Sequence, residues 1–302
     1  MQQPDQRPLG FGEILDQTFR IIKSHFKTLF LISLFVMTPI LVIQALILAL
    51  SGRDFIFGGD LGTGAFNQII NNIDSLGTTS VVTDITDGIV GLLTIFAVPL
   101  ISGAIILTVK SARAGGKPLA NDMIRGTLSR YWPMLGSSVL IALIAFGLYF
   151  ICLLAFIFFL TIVIFSELFF GIVLVILLFV AAFLGLGLLL TRFSLYLPAV
   201  LFAEVAPGLG KSWRLTRKQT WKFFGIYIVL GIIASVITFI IAIPVAFLGD
   251  SILYHILTNI SSFITGIIFM VGYAVIYFDA SLRQDGSDVQ AILDQYPTTE
   301  PS

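Results

Sequence analysis

The sequence predicts an all-α, polytopic integral membrane protein with six transmembrane helices. Three observations predict it. Of 302 residues, 57% are hydrophobic and 11% charged, with mean hydropathy +1.02, whereas soluble domains carry roughly 25% charged residues. Apolar runs fall at 27–50, 88–109, 134–164, 168–190, 222–248 and 257–278, each near or above the ~20 residues that cross a ~30 Å hydrocarbon core. Finally, charge is sided. Of 17 Lys and Arg residues, 16 lie on one side of the resulting hairpins. Arg53 alone lies on the other, with Asp54, Asp60, Asp74, Asp84, Asp87, Glu167 and Asp250. Positive loops stay in the cytoplasm during insertion, so both termini are expected there.

The elements follow in order. In 11–27, Phe11, Ile14, Leu15, Phe19, Ile22 and Phe26 share one helical face, and Glu13, Asp16, Arg20, Lys23 and Lys27 the opposite one. The first span then starts too late and runs too long for a signal peptide, so it is expected to be retained. In the outer loop 51–87, Phe66, Ile69, Ile70 and Ile73 have helical spacing. The segment 119–132 repeats the first pattern weakly, with Leu119, Met123, Ile124 and Leu128 against Arg125 and Arg130. The stretch 134–190 is interrupted by charge only at Ser166-Glu167 and flanked by basic residues at both ends. Equal sidedness of the flanks requires an even number of crossings, hence two helices with a turn there. In 209–224, Leu209, Trp213, Phe223 and Phe224 face away from the cations. After Asp279 the chain turns polar, and 281–302 reads as a disordered cytoplasmic tail.

His25-Phe26-Lys27, Arg130-Tyr131-Trp132 and Trp221-Lys222-Phe223 each precede a span, and such aromatic-basic steps favour the headgroup level. The chain thus reads as three units, each a cytoplasmic interfacial amphipathic helix followed by a transmembrane hairpin.

Residues 7–19 read Arg-Pro-Leu-Gly-Phe-Gly-Glu-Ile-Leu-Asp-Gln-Thr-Phe. Residues 189–204 read Leu-Leu-Thr-Arg-Phe-Ser-Leu-Tyr-Leu-Pro-Ala-Val-Leu-Phe-Ala-Glu. Then come Ala-Pro-Gly-Leu-Gly-Lys-Ser-Trp-Arg-Leu-Thr-Arg at 206–217, Trp-Lys-Phe-Phe at 221–224, Tyr-Phe-Asp at 277–279 and Asp-Gly at 285–286. Together these resemble the bacterial family labelled the glycerophosphoryl diester phosphodiesterase membrane domain, over roughly residues 7–288. The resemblance implies a fold and a location. It transfers no catalytic residue, because the family's soluble catalytic barrel has no counterpart in these residues.

Lys211, Arg214, Arg217, Lys218 and Lys222 fall within an arc of about 140° if 209–224 is one helix. They are the candidate site for anionic lipid or an acidic partner. Arg192 and Asp279, at matching depths near the inner boundary, are expected to form an ion pair closing the bundle. His25 and His255 lie on opposite sides of the membrane, and the single cysteine, Cys152, lies in an apolar run. Neither a metal site nor a disulfide is expected, and no cofactor. The mid-span regions lack Asp, Glu, Lys and Arg, which counts against ion-coupled transport. Gln44, Thr94, Ser137, Ser138 and Thr238 read as helix-packing contacts, as do Ala181, Gly185 and Gly187. Pro39, Pro99 and Pro244 kink spans or line a cavity.

The function expected is a non-catalytic membrane scaffold or accessory subunit. Its expected partners are anionic membrane lipids and a membrane protein, not nucleic acid. The alternative is a transporter or channel for a small or lipid-like molecule. An intramembrane enzyme ranks third, since no acid–base pair is visible.

Overall fold

The computed structural model describes residues 8–56, 81–164, 168–202, 206–249 and 251–295. The described residues form nine helices: α1 (Phe11–Leu50), α2 (Val81–Arg113), α3 (Ala120–Leu128), α4 (Tyr131–Ile164), α5 (Leu168–Phe193), α6 (Tyr196–Leu201), α7 (Leu209–Thr216), α8 (Thr220–Ala246) and α9 (Ile252–Gln295). Six of them, α1, α2, α4, α5, α8 and α9, are long and apolar enough to cross a membrane. The protein is an all-α polytopic membrane protein. The expected helix at 66–73 and the Ser166-Glu167 turn lie outside the described residues.

Three helices make the core. α1 packs on α9 and α2, α9 packs on α2, and α8 covers the other side of α9. Ile14, Leu29, Ile32, Ile105, Ile106, Ile267 and Val271 are among the fully enclosed side chains. A polar bond crosses this core between α1 and α9: Asn259 Nδ2 donates to Gln44 Oε1 at 2.8 Å. In hydrocarbon no water competes for such a bond, which fixes how α1 and α9 are rotated against each other. Ser138 also crosses between elements, accepting from the Tyr196 hydroxyl at 3.1 Å. Thr94 and Ser137 instead bond carbonyls of their own helices, and Thr238 is exposed.

α4 and α5 behave differently. They pair with each other and touch the rest through α2, α6, α7 and α8. Within their most apolar windows 0% of residues are buried, against 56% for α9 and 44% for α2.

Four details depart from the sequence reading. The first pre-span helix meets the first span at a kink at non-helical His25 (φ −126°, ψ 20°) within α1, two residues before the expected boundary. Residues 209–224 are two helices, because the turn at 217–219 and the non-helical Gln219 (φ −136°, ψ 21°) end α7 and restart the chain as α8. α3 runs back along α2: Gly126 approaches Leu107, Gly103 lies under Thr127 and Met134, and the Tyr131 hydroxyl donates to the Phe96 carbonyl at 3.0 Å. Side chains missing at the two glycines permit this approach. Lastly, 281–295 is not a disordered tail, since α9 continues to Gln295. Arg283 bonds Asp279 one turn back at 2.9 Å, which supports the helix beyond the span.

Candidate functional site at the basic end of the bundle

Two structures occupy the end where Lys and Arg collect. The first is a clamp on the backbone of Leu9. Its N–H donates to Asp279 Oδ1 at 2.7 Å, and its carbonyl accepts from Lys222 Nζ at 2.7 Å and from Arg283 Nη2 at 2.6 Å. Arg283 Nε also bonds Asp279 Oδ2 at 2.9 Å, and Lys222 Nζ lies 3.5 Å from it. Asp279 is fully buried, its two cations half-buried. A buried carboxylate needs partners for each lone-pair direction, and this one has an amide and two cations. Immediately after Leu9, Glu13 accepts from Gly10 N–H at 2.6 Å, a capping interaction that starts α1. Nearby, Lys110 lies over the Phe202 ring and Arg113 over Phe278, at 4.6 and 5.3 Å.

The expected Arg192–Asp279 pair is therefore corrected. Arg192 stacks on the Trp213 ring at 4.5 Å. α7 holds it there, because Ser212 Oγ donates to the Arg192 carbonyl at 2.7 Å and accepts from Leu195 N–H at 3.0 Å, with Thr216 Oγ 3.3 Å from the same carbonyl. These hydroxyls satisfy the end of α5. α5 packs on α8 rather than α9, and the space at Asp279 is filled by cations from α8 and from the next turn of α9.

The turn into α7 depends on Gly208, which sits at φ +72°. A Cβ there would lie 2.7 Å from the Tyr196 carbonyl oxygen, so glycine is needed for both conformation and space. It lets α7 tuck beneath α6, whose Leu197, Pro198, Ala199, Val200 and Leu201 are all buried.

The second structure is a cleft of about 590 Å³ between the end of α5 and the start of α8. Arg192, Arg217, Lys218 and Lys222 line it with Gln219, Thr220 and Trp221, above a floor of Gly185, Leu188 and Leu189. Gln219, at the N-cap of α8, makes no side-chain capping bond to that helix.

The five candidate cations thus do not share one helix face. Arg217 and Lys218 are exposed in the turn and line the cleft; Lys222 lines it too but is half-committed to Leu9 and Asp279. Arg214 is exposed on α7, Lys211 is half-buried, and neither lines the cleft. Reasoning from sequence missed Arg283, Leu9, Trp221 and the leucine floor. The i,i+4 spacing of Asp279 and Arg283 was the available signal for the first. The histidines are apart as expected: His25 Nδ1 meets Ser24 Oγ at 2.7 Å, while His255 Nε2 lies 3.5 Å from Arg53 at the far end. Among the described residues no three His, Cys, Asp or Glu side chains converge as a metal site would require.

Compared with known proteins, the chain matches no family model, no curated protein and no solved structure.

Proposed function

We propose that the protein is a non-catalytic scaffold or accessory subunit of a bacterial cytoplasmic membrane, with both termini cytoplasmic, acting through lipid and protein contacts. The resemblance to the glycerophosphoryl diester phosphodiesterase membrane domain supports the location and is itself part of the proposal. The observation that carries the reading is the α4–α5 hairpin. Its most apolar windows bury nothing, and it holds an open apolar groove of about 490 Å³ lined by Tyr149, Cys152, Phe156, Phe159, Phe179 and Phe183. Apolar span surface that this chain leaves uncovered is open to lipid acyl chains and to another transmembrane protein. A photoreactive residue placed at Phe158 or Leu177 is expected to capture a membrane-protein partner. The same residue at Phe239 of α8, equally exposed, captures none. Equal capture, or none at any of the three, overturns the partner role.

Orientation is tested separately, with single cysteines at Lys117 and Thr78 in a Cys152→Ala background. An impermeant thiol reagent is expected to label position 78 and spare 117 in intact cells; the reverse pattern overturns the topology.

Transport is the second reading, favoured by a cavity of about 220 Å³ between α1, α2 and α9, lined by Met37, Ile40, Val98 and Ile101 beside Pro39 and Pro99. Its hydroxyls speak for packing instead: Ser33, Thr94 and Ser262 each bond a carbonyl of their own helix. Modification of a Met37→Cys variant by a water-soluble thiol reagent would replace the scaffold reading with this one.

A further inference from the structure

We propose that the cleft between α5 and α8 is a binding site for one phospholipid with an anionic, phosphate-bearing headgroup. The proposal rests on the lipid-contact half of the function above and specifies where that contact is made.

The lining carries two chemistries in the order a lipid needs them. Arg192, Arg217, Lys218 and Lys222 sit at the mouth, and no carboxylate is among the lining residues. Lys222 is partly neutralised by Asp279, 3.5 Å away. Arg217 and Lys218 make no ion pair within the described residues, and their charges are available. Arg192 lies over the Trp213 ring, 4.5 Å from its centroid, which restrains its guanidinium at the cleft. The first turn of the 27-residue α8, with Thr220, Trp221 and Lys222 on the cleft lining, adds the partial positive charge of a helix N-terminus.

Below the cations the surface becomes apolar. Leu188, Leu189 and Gly185 form the floor, and Trp221, two-thirds exposed, forms one wall. Arg192 ends an apolar span and Lys222 begins one, so the cleft spans the level where headgroup meets acyl chain. A free phosphate would use only the upper half; a diacyl phospholipid uses both. Gly185 contributes to shape as well, because a Cβ built there meets nothing within 4 Å. Its neighbour Gly187 is the opposite case, with Phe224 only 2.4 Å from the corresponding point. One glycine admits a neighbouring helix, and the other keeps the cleft open.

The test is native mass spectrometry of the full chain in detergent, titrated with phosphatidylglycerol or with phosphatidylcholine of identical chains. One phosphatidylglycerol is expected to persist where phosphatidylcholine does not. Arg217→Gln with Lys218→Gln should weaken its retention by at least about tenfold, since each cation near a charged surface counts. Arg20→Gln with Lys23→Gln, an equal charge change at two exposed positions of α1, should leave it intact. Gly185→Leu, whose Cβ meets nothing within 4 Å and which alters no charge, should weaken retention as well, and an unchanged melting temperature will show that it folds. Equal loss in the α1 control means diffuse surface charge and overturns the site. So does equal retention of the two lipids, or full retention in the Gly185→Leu protein. Displacement of the bound mass by millimolar inorganic phosphate assigns the cations to a soluble anion and overturns the lipid. None of these outcomes alters cross-linking from α4 and α5, so failure here is distinguishable from failure of the scaffold role.

Discussion

The α1–α2–α9 core is built from less apolar sequence than the α4–α5 hairpin, and the two have opposite fates. α9 buries 56% of its most apolar window and the hairpin helices none, although the hairpin windows are more hydrophobic. Hydropathy therefore reports affinity for lipid and says little about which spans pack together. Packing follows small residues and polar pairs. Gly272 lets Leu230 within 2.4 Å of the point a Cβ would occupy, and Gly103 does the same for Thr127 at 2.3 Å. On α4, Gly136 and Gly147 have nothing within 4 Å.

The sharpest way to break this comparison is at the clamp. Asp279→Ala should strand Lys222 and Arg283 beside a buried carbonyl, lowering stability by about 3–5 kcal/mol as a lost buried ion pair does. Thermal unfolding in detergent measures it, and a change below about 1 kcal/mol would separate the clamp from the fold. Next come the glycines. Gly103→Ala and Gly208→Ala should each cost about 1–3 kcal/mol, one by overpacking and the other by backbone strain. Gly147→Ala should be neutral or stabilising by up to about 1 kcal/mol through helix propensity. If Gly103 and Gly147 respond alike, the difference between core and hairpin is not one of packing. A smaller effect is expected for Tyr131→Phe, which removes the hydroxyl held by the Phe96 carbonyl; about 0.5–1.5 kcal/mol is the usual range for one hydrogen bond. The smallest belongs to the charge swap Arg192→Asp with Asp279→Arg. Its melting temperature should show no recovery beyond the two single variants, within about 0.5 kcal/mol of additivity. Recovery would restore the Arg192 pairing and displace Lys222 and Arg283 from their roles.

Span number was legible because a continuous apolar run and sided charge are one-dimensional properties. So was the preference for a basic site near 211–222. What could not be read was direction around each helix axis. Arg192 and Asp279 do lie toward the same end, but α5 presents Arg192 to Trp213 while α9 presents Asp279 to Leu9. Depth is encoded in distance along the chain, whereas azimuth is encoded in which helices pack. The supposed single helix 209–224 failed for a related reason. Its periodicity persists across a turn, because α7 and α8 both bury one face. The cleft was invisible because its floor and mouth come from segments about 30 residues apart.

Leu9 and Arg283 stand 274 positions apart in sequence yet share a hydrogen bond. A ribosome makes them far apart in time. At roughly 5–20 residues per second, α1 waits many seconds in the bilayer before α9, its principal neighbour, has been synthesised. Through that interval the backbone of Leu9 has none of its three clamp partners together, because Asp279 and Arg283 come last. Closure of the clamp therefore waits until translation has passed Arg283, and chains stopped short of it leave Leu9 unlatched.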